Sequence, residues 1–130
     1  MVYSNVRVLF IDDQPDYLEA MFYWMKQRGY EVLTSTEGQK GVELVREGKV
    51  DIVFVDYKMP GLDGLEVVRR IRETNGQIPI VVLTAYLNDV MQQDVDALNI
   101  SGIYPKKGEF EDLENVLKIV MALLKKPKSS

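Results

Sequence analysis

The sequence predicts an α/β fold, a doubly wound five-stranded parallel sheet with five helices. Short runs of Val, Ile, Leu and Phe alternate five times with segments of helical periodicity. Strands separated by helices imply parallel pairing through right-handed crossovers. The strand runs are apolar at consecutive positions, as expected of strands covered on both faces.

The elements follow in order. Val6 to Ile11 reads as strand one and runs straight into Asp12-Asp13. Gln14 to Arg28 reads as a helix, with Leu18, Met21, Phe22 and Met25 on one face and Gly29 as its stop. Tyr30 to Thr34 is strand two. Thr36 to Arg46 is a helix with Val42 and Val45 as core contacts, although Gly38 and Gly41 lower its propensity. Asp51 to Val55 is strand three and runs into Asp56. The segment Met59-Pro60-Gly61-Leu62-Asp63-Gly64 is a turn whose Pro and Gly set the chain direction, and Asp63 caps the next helix. That helix, Asp63 to Thr74, carries Leu65, Val68 and Ile71 at helical spacing. Ile80 to Leu83 is strand four and ends in Thr84-Ala85. Asn88 to Leu98 is a helix of moderate apolarity. Strand five lies around Gly102-Ile103-Tyr104-Pro105 and ends in Lys106-Lys107. Glu109 to Leu124 completes the fold with an amphipathic stripe of Phe110, Leu113, Leu117, Val120 and Leu124. Residues 1–124 form the expected domain, and residues 125–130 a basic, flexible tail. The first helix also carries Tyr17, Phe22, Tyr23 and Trp24, more aromatics than one face can bury. Phe22 is assigned to the core, and Tyr23 or Trp24 to the surface as anchors for a partner.

The chain has 130 residues, the size of one ordinary domain with a single core. A net charge of -4 argues against a general nucleic-acid interface, which needs a basic face. With no cysteine there is no disulfide framework or thiol redox chemistry. With no histidine there is no imidazole base or imidazole metal ligand. The opening Met1-Val2-Tyr3-Ser4-Asn5 does not read as a signal peptide, and no segment approaches the roughly 20 apolar residues that span a bilayer. A cytoplasmic domain is expected.

The chemistry lies at the strand ends. If strands one and three are neighbours, Asp12, Asp13 and Asp56 share one crevice. Three such carboxylates repel one another unless a cation sits among them, and a hard divalent ion such as magnesium fits oxygen ligands. Thr84 adds a hydroxyl and Lys106 or Lys107 an ammonium, completing the parts that bind a metal ion and a phosphoryl group. Each residue alone has a plainer reading. Asp12-Asp13 before Pro15 suits a turn or cap, Thr84 suits a strand, and a lysine pair suits solvent.

In their order along the chain, Asp12-Asp13, Asp56, Met59 to Gly64, Thr84-Ala85 and Lys106 resemble the receiver domain of bacterial two-component response regulators. The resemblance covers residues 6 to 124. It implies the flavodoxin-like strand order 2-1-3-4-5, which makes strands one and three neighbours. It further implies that Asp56 accepts the phosphoryl group, and that Asp13 and Asp56 touch Mg2+ directly. Asp12 would act through water, and the Lys58 backbone carbonyl would complete the protein ligands. Thr84 and the Ala85 amide would contact the phosphoryl group, and Lys106 would pair with it. The donor would be a histidine kinase or histidine phosphotransfer protein. The output would leave through helix four, strand five and helix five. Such a domain is not an enzyme beyond its own phosphorylation and dephosphorylation. Spacing back from Leu113 favours Lys106 as the family lysine, with Lys107 as the alternative. Two positions depart from the family pattern. Lys107 stands where Pro is usual, and Ile103 where an aromatic is usual, with Tyr104 beside it.

Three other readings fit less well. A haloacid-dehalogenase-type phosphatase wants its second Asp two residues after the first, which Ile11-Asp12-Asp13-Gln14-Pro15 does not supply. A flavodoxin's first loop is rich in Gly and hydroxyls, and two aspartates there would repel a phosphate. A phosphorylation-independent interaction module would have lost part of the acid, Thr and Lys set.

Overall fold

The computed structural model describes residues 5–59, 61–85, 88, 90–106 and 108–125, without the side chains of residues 124 and 125. Pro60, Tyr86, Lys107 and the tail from 126 onward therefore lie outside the described residues. The elements run β1 (Arg7–Ile11), α1 (Pro15–Gln27), β2 (Glu31–Ser35), α2 (Gly38–Arg46), β3 (Ile52–Asp56), α3 (Gly64–Thr74), β4 (Ile80–Thr84), α4 (Gln92–Ala97), β5 (Gly102–Pro105) and α5 (Phe110–Lys125). All strands are parallel and the order is β2-β1-β3-β4-β5.

Side-chain alternation along the strands splits the core between two faces. Leu9, Ile11, Val53, Val55, Ile80 and Val82 point to one side, where Val42, Val45, Val67, Val68 and Ile71 of α2 and α3 cover them. Val8, Phe10, Ile52, Phe54, Val81 and Leu83 point to the other, against Leu18, Met21 and Met25 of α1 and Leu113, Leu117 and Val120 of α5. Phe10 and Phe54 stack across β1 and β3 with ring centroids 4.8 Å apart. The central strands β3 and β4 are buried at every residue, whereas the edges β2 and β5 are partly open. Away from the site, Arg7 and Asp51 clamp the starts of β1 and β3. The Arg7 backbone N–H donates to Asp51 Oδ2 at 2.8 Å, and its Nε and Nη2 donate to the same carboxylate at 3.1 and 2.9 Å.

Local signals act much as expected. Pro15 opens α1, where its missing N–H costs nothing, and Gly29 follows its end at φ +97°. Asp63 caps α3, its Oδ1 accepting from the Glu66 N–H at 2.9 Å. Three expectations need correction. The fourth helix begins at Gln92 rather than Asn88 and carries no buried residue. Its weak apolar pattern commits only Val95, with Leu98 just past its end, to the core edge. Phe22 is half-buried rather than central, because Leu18, Met21 and Met25 already fill the buried stripe of α1. Trp24 is half-buried against Phe110, leaving Tyr23, 60% exposed, on the surface.

Gly64 has a packing role that ties the fold to the site. Its N–H donates to the Tyr57 carbonyl at 2.7 Å, and a β-carbon there would collide with the Asp56 backbone oxygen. By contrast, nothing lies near a β-carbon built on Gly76. We expect Gly64→Ala to lower stability by about 1–3 kcal/mol, the usual range for overpacking. Gly76→Ala should cost little. Urea denaturation of both variants checks this, and equal midpoints would rule out the close contact.

Candidate functional site

Parallel sheets gather their ligand sites at the carboxyl edge, where strand order reverses. Here that edge lies between β1 and β3. Ile11 pairs with Val55, which brings Asp12 and Asp13 beside Asp56. Asp56 and Thr84 are the last residues of their strands rather than the first of the following loops, paired with Leu83 and Pro105 respectively. The alternation that sends Phe10 and Phe54 toward α1 and α5 sends Asp12 and Asp56 the same way. Tyr104 points to that side as well, and Lys106 follows two residues later. Strand parity thus aims Asp12, Asp56 and Lys106 into one space, which Asp13 joins from the next position along the chain.

The space is a cavity of about 430 Å³ lined by Asp13, Gln14, Tyr17, Asp56, Lys58, Thr84, Ala85 and Lys106. Asp12 lies beneath it, 1% exposed. Carboxylate oxygens of Asp12, Asp13 and Asp56 all fall within 4.8 Å of one another. The Lys106 Nζ stands 2.8 Å from Asp12 Oδ2 and 3.2 Å from Asp56 Oδ2, and donates to Gln14 Oε1 at 3.2 Å. The Lys106 backbone N–H donates to the Thr84 carbonyl at 2.9 Å, which fixes the start of the loop to the end of β4. Asp12 Oδ1 accepts from the Gln14 N–H at 2.9 Å, closing a turn at the strand end. Asp12 Oδ2 is buried and takes part in no hydrogen bond despite the nearby ammonium.

These contacts set the charge states. Burial pushes the Asp56 carboxyl above the ordinary carboxylate range, the Asp12 charge pushes it further, and Lys106 pulls it partly back. Burial alone would depress Lys106. The close Asp12 and then Asp56 outweigh it and hold the ammonium above its ordinary value. The Tyr17 hydroxyl is pushed up by burial and then by the charges of Asp12 and Asp56, so it stays neutral.

The residue set fits a hard divalent cation. Three oxygen donors converge, and the buried Asp12 Oδ2 has an ion pair with Lys106 but no hydrogen bond. Thr84 and Ala85 stand on the β4 side of the same cavity, and Lys58 on the β3 side. Of the two candidate lysines, Lys106 reaches the acids, while Lys107 lies outside the described residues. Two lining residues were not singled out for the site from sequence, Gln14 and Tyr17. Their signal is position: Gln14 directly follows the acid pair, and Tyr17 lies in the first turn of the helix that starts there.

The model of one family, described as the response regulator receiver domain, matches residues 8–118. Among curated proteins, the response regulator MprA of Mycolicibacterium vanbaalenii is 34% identical over 110 residues, 83% of this chain and 47% of that protein. The sporulation initiation phosphotransferase F of Bacillus subtilis is 24% identical over 119 residues, 92% of this chain and 96% of that protein. The chain thus spans about half or less of the length of the transcriptional regulators and MprA proteins it matches. Among solved structures, the response regulator TrrA of Thermotoga maritima, in complex with Mg2+ and BeF, superposes with a TM-score of 0.79 at 30% identity. That match covers 88% of this chain and 98% of TrrA.

The Asp56 shift has a stability consequence with a definite sign. Its folded-state value is raised, so the native state holds that proton more tightly than the unfolded chain does. Stability is therefore lost as pH rises through the interval above the ordinary carboxylate value. In chelator at neutral pH, Asp56→Asn should melt above the parent, and the gap should close below about pH 4. A variant that melts lower at neutral pH would show that Lys106 compensates Asp56 fully.

Proposed function

This chain belongs to the family of response regulator receiver domains, and from that premise we propose that Asp56 is its phosphoacceptor, served by Mg2+ and by Lys106. The observation that carries this reading is the convergence of three carboxylates within 4.8 Å of one another, with the Lys106 ammonium against Asp12 and Asp56. TrrA, whose solved complex holds Mg2+ and BeF, shares this fold and 30% of its residues. The same two ligand types suit the oxygens gathered here.

In the proposed reaction, an Asp56 oxygen attacks phosphorus in line with the leaving nitrogen of a donor imidazole. The O–P bond forms as the P–N bond breaks, and the imidazole leaves carrying a proton from solvent. The donor imidazole belongs to a histidine kinase or histidine phosphotransfer protein, since this chain contains no histidine. Asp12, Asp13, Asp56 and the Lys58 carbonyl would hold Mg2+, which when bound neutralises charge building on the phosphoryl oxygens. Thr84 and the Ala85 amide orient the group, and Lys106 leaves Asp12 to pair with it. Positioning and charge stabilisation suffice for this transfer without a strong base. The domain then acts on no substrate but its own phosphoryl group, and its two conformations control an output through α4, β5 and α5. Among the described residues no helix is long and apolar enough to cross a membrane.

Incubation with a small acyl phosphate and Mg2+ should add one phosphoryl group, seen in the intact mass. Chelator and Asp56→Asn should each abolish it. An adduct that survives in Asp56→Asn would move the acceptor elsewhere. Mg2+ should also raise the melting temperature without phosphate. The gain is about 2.7 kcal/mol at a hundredfold excess over the dissociation constant. Asp13→Asn should remove most of that gain in a thermal-shift or calorimetric titration, and an undiminished response would exclude Asp13 as a ligand.

A further inference from the structure

The aromatics of α1 join the phosphoacceptor site to the far end of the helix. The Lys106 Nζ sits 5.1 Å from the centroid of the Tyr17 ring. Tyr17 in turn meets Phe110, the first residue of α5, edge to face at 6.1 Å. Phe110 meets Trp24 in the same manner at 6.1 Å. Arg28 lies over the Trp24 ring at 4.6 Å and pairs with the buried Glu114 of α5 at 3.3 Å. Glu114 also accepts from the Tyr30 hydroxyl at 2.9 Å. Six side chains, Lys106, Tyr17, Phe110, Trp24, Arg28 and Glu114, thus run in succession from the carboxylate cluster along the α1–α5 seam.

We propose that Tyr17 is the residue that couples Lys106 to this seam, so that Trp24 and the α1–α5 surface respond to the state of Asp56. The proposal rests on the phosphoacceptor reading. Before phosphorylation the ammonium is shared by Asp12, Asp56, Gln14 and the Tyr17 face. A phosphoryl group on Asp56 draws it away from that position by charge-assisted contacts that exist in one state only. The ring loses the cation that lies over it. Its hydroxyl is buried and takes no hydrogen bond, and the residue lines the cavity where phosphoryl oxygens would offer acceptors. A buried hydroxyl without a partner favours any arrangement that supplies one. Both changes move the Tyr17 ring, and edge-to-face packing passes the displacement to Phe110 and then to Trp24. The contacts form one connected chain of packed side chains, and the differential contact at its head gives it two states.

The chain contains one tryptophan, so its fluorescence reports this route without interference from another. The test uses the full chain with Mg2+ and beryllofluoride, with binding followed separately by fluorine NMR. In the parent, binding should shift the Trp24 emission. In Tyr17→Leu, at beryllofluoride concentrations that fluorine NMR shows to saturate the variant, the emission shift should be lost. Phe110→Leu, which cuts the run one contact further on, should give the same loss and keeps the test open if Tyr17→Leu fails to fold. Tyr17→Phe should retain a reduced shift, because the ring remains while the hydroxyl does not. An unaltered shift in Tyr17→Leu would send the signal through the backbone between Lys106 and Phe110 and overturn the proposal. So would a parent that binds beryllofluoride with no change in emission. A parent that neither binds it nor takes a phosphoryl group would instead refute the phosphoacceptor reading.

Discussion

Mutual repulsion among Asp12, Asp13 and Asp56 is the constraint around which the carboxyl edge of the sheet is organised. Their oxygens lie within 4.8 Å of one another at the end of a sheet whose central strands are dry. Like charges at that spacing are tolerated in a low-dielectric setting only with a cation in contact. Lys106 supplies one charge, its side chain 15% exposed, and touches two of the three acids. Lys106 alone does not neutralise three ionised carboxylates. A divalent ion in this cluster would offset the remaining repulsion.

The rest of the fold holds this arrangement still. Every strand is four or five residues long and parallel, and the two buried faces are filled by different helices. The Arg7–Asp51 clamp fixes the amino ends of β1 and β3, and the paired registers carry that alignment to their carboxyl ends. Gly64 lets α3 begin against the Asp56 carbonyl, so the acceptor's backbone is braced from outside the sheet as well. A site built on strand termini with helix starts packed behind them is more rigid than one built on loops alone.

Much of this was legible because it obeys short-range rules. Consecutive apolar residues marked β3 and β4, and the acids at the ends of β1 and β3 marked the candidate ligand edge. Asp63 before an apolar helix marked a cap, and Gly29 a stop. What escaped the sequence depends on how helices rotate about their axes. Tyr17 and Trp24 are seven residues apart and lie on the same side of α1, but their shared neighbour, Phe110, comes from the other end of the chain. No periodicity within α1 announces that contact. Phe22 packs against the core from the margin of α1, since the middle of the stripe is filled by two methionines and a leucine. The start of the fourth helix was set four residues early because propensity alone cannot locate an end without a buried face.

The hydrogen bond from the Lys106 N–H to the Thr84 carbonyl carries a consequence for timing. With its backbone tied to β4, Lys106 reaches a new partner by rotating its own torsions rather than by sliding a loop. Side-chain rotation belongs to a faster class of motion than the microsecond-to-millisecond movement of loops and domains. Under the proposed function, the ammonium then re-equilibrates many times within the life of one acyl phosphate. The duration of a signal is set by the chemistry of the Asp56 bond, and the protein adds no lag of its own at this first step.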